Sequence, residues 1–145
     1  MEEKITFKKF TMNVLNGVAL GTVLCLVPGA LLGELLKYIA KVYPSLAFLS
    51  FSVTISNALI GLASGMIIGM MFKLTPIQGT SIGLATLYAS GSIVQTADKT
   101  GLMLKGAGDI VTIIFTAALA TAFILLIGNK TQGYAVLVLP TLSLV

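Results

Sequence analysis

Residues 46–72 read LAFLSFSVTISNALIGLASGMIIGMMF, from Leu46 to Phe72, with Pro44 just ahead and Lys73 just behind. As a helix this run reaches about 40 Å, enough to cross a hydrocarbon core of about 30 Å with tilt. Within it Asn57, Gly61, Gly65 and Gly69 recur every fourth residue, which stacks them on one helix face. A row of small residues lets a neighbouring helix backbone come close. Gly17, Gly21, Cys25, Gly29 and Gly33 form a similar row in the first apolar segment. Helix packing is the reading expected for Gly17, Gly21, Gly61, Gly65 and Gly69; close approach of a ligand to the backbone is the other role open to them.

Composition sets the solvent around these helices. Hydrophobic residues make up 57% of the chain and charged residues 10%, with a mean hydropathy of +1.03. A soluble domain carries roughly 25% charged residues, and so few charges cannot cover the surface of a water-soluble fold of this size. The expected class is all-α, a polytopic integral membrane bundle with broken or re-entrant helices, forming a single membrane domain over residues 1–145 in contact with the lipid bilayer. With no His, one Cys (Cys25) and five carboxylates, no zinc set, His-assisted nucleophile or disulfide framework can be built from one chain. No catalytic residue, metal or cofactor is therefore expected, and the chain does not read as an enzyme. Its nine basic residues are all Lys, so the bidentate contacts of a nucleic-acid binder have no source. Those Lys residues are better suited to setting topology.

Lys4, Lys8 and Lys9 precede the first apolar run without a small-residue cleavage site behind it, which predicts an uncleaved first span with a cytoplasmic N-terminus. Its apolar part, Val14 to Val27, reaches only about 21 Å before Pro28 and Gly29 intervene. Beyond them ALLGELLKYIAKVY carries Glu34, Lys37 and Lys41 on one side. This amphipathic piece either extends the first helix past a kink or lies along the interface. Glu34 is expected to pair with a Lys on its own helix.

Pro76 to Val94, PIQGTSIGLATLYASGSIV, is apolar yet rich in glycine and hydroxyls, a composition suited to burial in protein. If it crosses, Lys4, Lys8, Lys9, Lys73 and Lys130 face the cytoplasm and the other four Lys face out. If it is re-entrant, Lys99 and Lys105 move in and Lys130 moves out, a six-to-three split that fits the positive-inside rule better. The expectation is a re-entrant or broken element followed by a polar, glycine-punctuated connection over residues 95–108. Gln78 and Thr80, near its start, are the first candidates for solute contact, because broken helix ends offer unpaired backbone groups.

Asp109 then opens a second clear span ending at Gly128. It reads as a helix N-cap after Gly-Ala-Gly, as the lip of a water-filled site, or as both. Asn16 and Asn57 are rare inside spans and need partners, either another helix or a solute. The last run, YAVLVLPTLSLV, stops at Val145 without a polar anchor, so the 145 residues are expected to be the N-terminal part of a longer membrane domain.

Three blocks carry a family resemblance: LNGVALGTVLCLVPGALLGELLK, GLATLYASGSIV and IGNKTQGYAVLVLPTLSLV. In this order they resemble the N-terminal part of the EIIC-like membrane subunits of the phosphotransferase system. The resemblance implies a multi-pass protein of a bacterial plasma membrane. It implies movement of a small polar solute such as a sugar by alternating access, with phosphocarrier subunits as partners and room for a homo-oligomer. Phosphoryl coupling is implied by that kinship only, since Cys25 sits in an apolar helix. The substrate-binding candidates are Asn57, Gln78, Thr80 and Asp109. A transporter needs them to converge on a cavity, whereas a non-transporting regulator or assembly subunit would scatter them among helix contacts.

Overall fold

The computed structural model describes residues 6–97 and 99–127; the expected turn after Gly128 and the final apolar run lie outside them. The chain opens with α1, Phe7–Val42, one helix of 36 residues that contains Pro28. At about 54 Å it is the one described helix long and apolar enough to cross a membrane by itself. Of the two readings left open for Ala30–Tyr43, the structure adopts the extension: the amphipathic piece continues α1. Pro28 supplies no N–H to the carbonyl of Leu24, so the helix runs on across one missing bond. The Lys37 ammonium lies 2.6 Å from a Glu34 carboxylate oxygen on this outer part, both side chains exposed.

A 3₁₀ segment, Pro44–Leu49, leads into α2, Ser50–Ala58, and α3, Ile60–Met71. Here the expectation of one continuous span over Leu46 to Phe72 is corrected, because the helix is broken at Leu59 and bends by 43°. The cause is local. The Leu59 N–H is shared between the carbonyls of Ile55 and Ser56, both at 3.2 Å. The Ser56 hydroxyl donates across to the Cys25 carbonyl of α1 at 3.1 Å. From α4 the Thr86 hydroxyl reaches the Gly61 carbonyl at 2.5 Å, so bonds to both neighbours hold the broken turn.

The element α4, Pro76–Ala89, begins with a capping box: the Thr75 N–H donates to Gln78 Oε1 at 2.9 Å, and the Gln78 N–H to Thr75 Oγ1 at 3.4 Å. With Pro76 at its first turn and a matched cap, the segment is one uninterrupted helix of 14 residues. The chain does not turn back within α4, which at about 21 Å is shorter than a full span; Lys73 and Lys99 lie beyond its opposite ends. Gly79 and Gly83 do not break it. They are the places where α3 touches it.

A hairpin follows, β1 Ile93–Gln95 and β2 Leu102–Leu104, pairing Ile93 with Leu104 and Gln95 with Leu102. This small sheet is the one non-helical element among the described residues of a mostly helical chain, and its turn and second strand occupy the polar, glycine-punctuated connection over residues 95–108. The return is made by α5, Ile110–Ile127, whose Ile124 packs on Ile82 of α4 beside Leu74. At about 27 Å over 18 residues, α5 falls just short of a full span within the described residues.

Three helices interleave at the centre. A Cβ added to Gly17 or Gly21 of α1 would strike Ile68 or Ser64 of α3. One added to Gly65 or Gly69 of α3 would strike the backbone of Gly83 or Gly79 of α4. Rising numbers on one helix meet falling numbers on the next, so α3 runs antiparallel to both neighbours. Val14, Val18, Ile60, Ile68, Ile113 and Ala117 close the core among α1, α3 and α5. Outside it Leu24, Leu31, Phe115, Leu119 and Leu126 stay exposed, as a lipid-facing surface requires and a water-facing one does not tolerate over such an area.

Candidate solute site

The α3–α4 corner builds a small cleft. Met66, Gly69 and Met70 of α3 face Leu74, Thr75, Pro76, Gly79 and Thr80 around a volume of about 190 Å³. At its wall the helices meet through Gly69 and Gly79, where a Cβ on Gly69 would lie 2.5 Å from the Gly79 Cα. Typical small-molecule sites hold about 300–1,000 Å³, so the cleft by itself is smaller than a full sugar site. Its polar lining is two hydroxyls. Thr80 Oγ1 donates to the Pro76 carbonyl at 2.7 Å, which leaves the oxygen's lone pairs free to accept. Thr75 Oγ1 accepts from Gln78, which leaves its proton free to donate.

The four sequence candidates divide into two groups. Thr80 lines the cleft, while Gln78, two residues earlier and so on the other side of the helix, is buried and committed to the cap of α4. Asp109 lies past the far end of α4, where its N–H donates to the Ser90 carbonyl at 2.8 Å. Twelve helical residues, about 18 Å, separate the levels of Gln78 and Ser90. Asn57 sits at the end of α2 against Gly29 of α1, which is also the hairpin end of the bundle. Its Oδ1 is buried and accepts no hydrogen bond. The described residues therefore bring no pair from opposite groups into one cavity. Asn16 is exposed on α1.

Asp109 caps α5. One carboxylate oxygen accepts from the Val111 N–H at 3.0 Å and the other from the Thr112 hydroxyl at 2.5 Å. The Thr112 hydroxyl, followed by the Val111 N–H, holds this exposed carboxyl below its ordinary range. The charge also remains open to solvent, so the cap leaves its outer face available.

Several polar residues in the structure were not singled out from sequence. Thr86 is fully buried and ties α4 to α3. Ser90 and Ser92 are buried with their hydroxyls 2.8 Å apart, and Ser92 accepts at its carbonyl from the Lys105 N–H at 2.7 Å, which closes the base of the hairpin. The hydroxyls of YASGS were the available signal. Gly108 has a positive φ of 71° and its missing Cβ makes room for Ser90, so the turn into α5 depends on it. Among the described residues no group of three or more His, Cys, Asp or Glu side chains could hold a metal.

A family model for the phosphotransferase system, EIIC, matches residues 12–145. No curated protein and no solved structure matches the chain. The match runs through α1, the broken α2–α3 pair, α4 with its hairpin and α5, and so takes in every element that shapes the cleft and the Asp109 cap. By that match across nearly all of its length, the chain belongs to the EIIC family of the phosphotransferase system.

Proposed function

We propose that this chain forms part of a sugar-moving permease subunit, in which a small polar solute passes by alternating access of discontinuous helices. EIIC domains are plasma-membrane permease subunits and not catalysts on their own. Their sugar substrates and phosphotransfer partners are properties of the family in its broad outline. The observation that carries the finer reading is the broken α2–α3 pair, of which α3 lies between α1 and the short α4 and α2 packs on α1. Discontinuous helices packed on glycine are the usual material of solute sites near the bilayer midplane. In this reading Thr80 meets the solute at the Lys73 end of α4, with Gln78 fixing the helix start behind it. Asn57, with its spare oxygen, and Asp109 meet it at the hairpin end. The N-terminus faces the cytoplasm.

The test is uptake. Cells producing the complete subunit with phosphocarrier proteins are supplied with a panel of labelled hexoses, hexitols and disaccharides. Uptake of at least one sugar above the control, lowered by Thr80→Val at unchanged membrane abundance, supports the reading. Well-folded protein that moves no member of the panel refutes it. The separation of Gln78 and Thr80 from Asn57 and Asp109 favours one rival, a non-transporting membrane regulator or assembly subunit, and that null result is what the rival predicts.

A further inference from the structure

Two helix breaks face each other in this bundle. Pro28 lies inside α1, and Leu59 separates α2 from α3 with a bend of 43°. Because α1 and α3 are antiparallel, the pairing of Gly21 with Ser64 and of Gly29 with Asn57 brackets both breaks at the same level. Below them, α1 up to Val27 packs on α3, which packs on α4. Above them, Gly29 and Gly33 of α1 pack on Asn57 and Val53 of α2. The contacts of α1 thus change partner at the same height at which both helices are interrupted.

The hydrogen bonding at this level is loose in a specific way. A proline in a helix leaves the carbonyl four residues back without its donor and crowds that same group. Here it is the Leu24 carbonyl. The next carbonyl, that of Cys25, accepts from another helix, from the Ser56 hydroxyl at 3.1 Å. Beside it the buried Asn57 Oδ1 accepts nothing, although a buried acceptor without a donor is costly. Across the break the Leu59 N–H divides itself between two carbonyls at 3.2 Å each. The cross-helix bond from Ser56 and the divided Leu59 N–H thus stand beside one buried acceptor without a donor, which is ready for a partner in a second arrangement.

We propose that Pro28 and Leu59 form one paired hinge, about which the outer part of α1 (residues 29–42) and the 3₁₀–α2 segment (residues 44–58) turn as a single body against the lower α1, α3 and α4. Ser56 and Asn57 are its latch residues. The outer arm of α1 is about 21 Å long, so a tilt of about 15° displaces its tip by about 5 Å. The hinge gives the transport reading its moving part, but it is measured as motion and not as uptake, so the two can fail separately.

The test uses the full chain in nanodiscs, in a Cys25→Ala background, with nitroxide labels at two pairs of exposed positions. Leu35→Cys with Phe51→Cys reports within the outer body; Leu35→Cys with Tyr88→Cys reports between the bodies. The expected result is a narrow distance distribution for the first pair. For the second pair it is a broad or double distribution spanning about 5 Å, which narrows when Pro28→Ala restores the α1 bond and changes its balance when Ser56→Ala removes the latch. Helical content and monodispersity establish that each variant is folded, and Ser56→Ala, a small change, keeps the test usable if Pro28→Ala folds poorly. A single narrow distribution for both pairs, unmoved by either substitution, overturns the hinge.

Discussion

Replacing Gly65 by Ala adds one methyl group at the closest approach of α3 and α4. That Cβ would lie 2.5 Å from the Gly83 Cα and 2.7 Å from the Ile82 carbonyl carbon, whereas carbon atoms rest at about 3.5–4.0 Å. Both obstacles are backbone, so no side chain can swing aside; the helices must part by about 1 Å. A gap of that size along the row forfeits a quarter to a half of the local dispersion energy. Overpacking of this kind costs about 1–3 kcal/mol, or a fall in Tm of roughly 3–10 °C for a domain of this size. Gly33→Ala is the internal control. Its Cβ would meet only Val53 methyl groups at 3.8 and 3.9 Å, ordinary contact, and replacing Gly inside a helix gains about 0.5–1 kcal/mol. Its Tm should hold or rise. The assay follows from the sequence: Cys25 is the sole cysteine and is buried, so a thiol-reactive fluorophore reports unfolding directly. Equal shifts for Gly65→Ala and Gly33→Ala would refute the claim that α3–α4 contact depends on glycine at 65.

The cap of α4 should behave as a unit. Thr75→Ala and Gln78→Ala are each expected to cost about 1 kcal/mol, and the double variant little more than either alone, by the same thermal assay; full additivity would mean the two bonds act independently. Asp109 carries a pH signature. Its carboxyl is lowered in the folded protein, so its contribution is complete above the unfolded carboxylate value of about 3.9 and is lost as pH falls through the lower folded value. The Tm difference between wild type and Asp109→Asn should therefore be steady near pH 7 and shrink in acid. A difference unchanged down to pH 3 would remove the charged cap.

Much of the fold was written in patterns the chain could not hide. The four-residue spacing of Gly61, Gly65 and Gly69 marks a face, and the Asp109 cap follows from its place before an apolar run. The break at Leu59 was not legible, because nothing in NALIG breaks a helix locally; bonds from Ser56 to α1 and from Thr86 to Gly61 come from partners distant in sequence. For residues 76–94 the glycine-and-hydroxyl composition did announce burial in protein, but the Lys count behind the re-entrant reading carries no information on local conformation; that Gly79 and Gly83 lie inside one helix where α3 presses close depends on tertiary contact, which overrides propensity. The hairpin had a faint signal in β-branched Ile93 and Val94 ahead of the glycine-containing turn. The candidate site was legible only in part: Thr80 does line a cleft, but Gln78 spends its side chain on the cap, a role that Thr-Pro-Ile-Gln announces once Pro76 is taken as the first helical residue.

The uninterrupted course of α4 from Lys73 to the hairpin carries the account of this domain, and accessibility tests it most directly. In a Cys25→Ser background, Lys73→Cys and Lys99→Cys are each exposed to a membrane-impermeant thiol reagent in sealed vesicles of known orientation. Labelling of the two positions from opposite faces is the result predicted by an uninterrupted α4 with the hairpin at its far end. Labelling of both from the same face would contradict it and restore a turn-back inside residues 76–94.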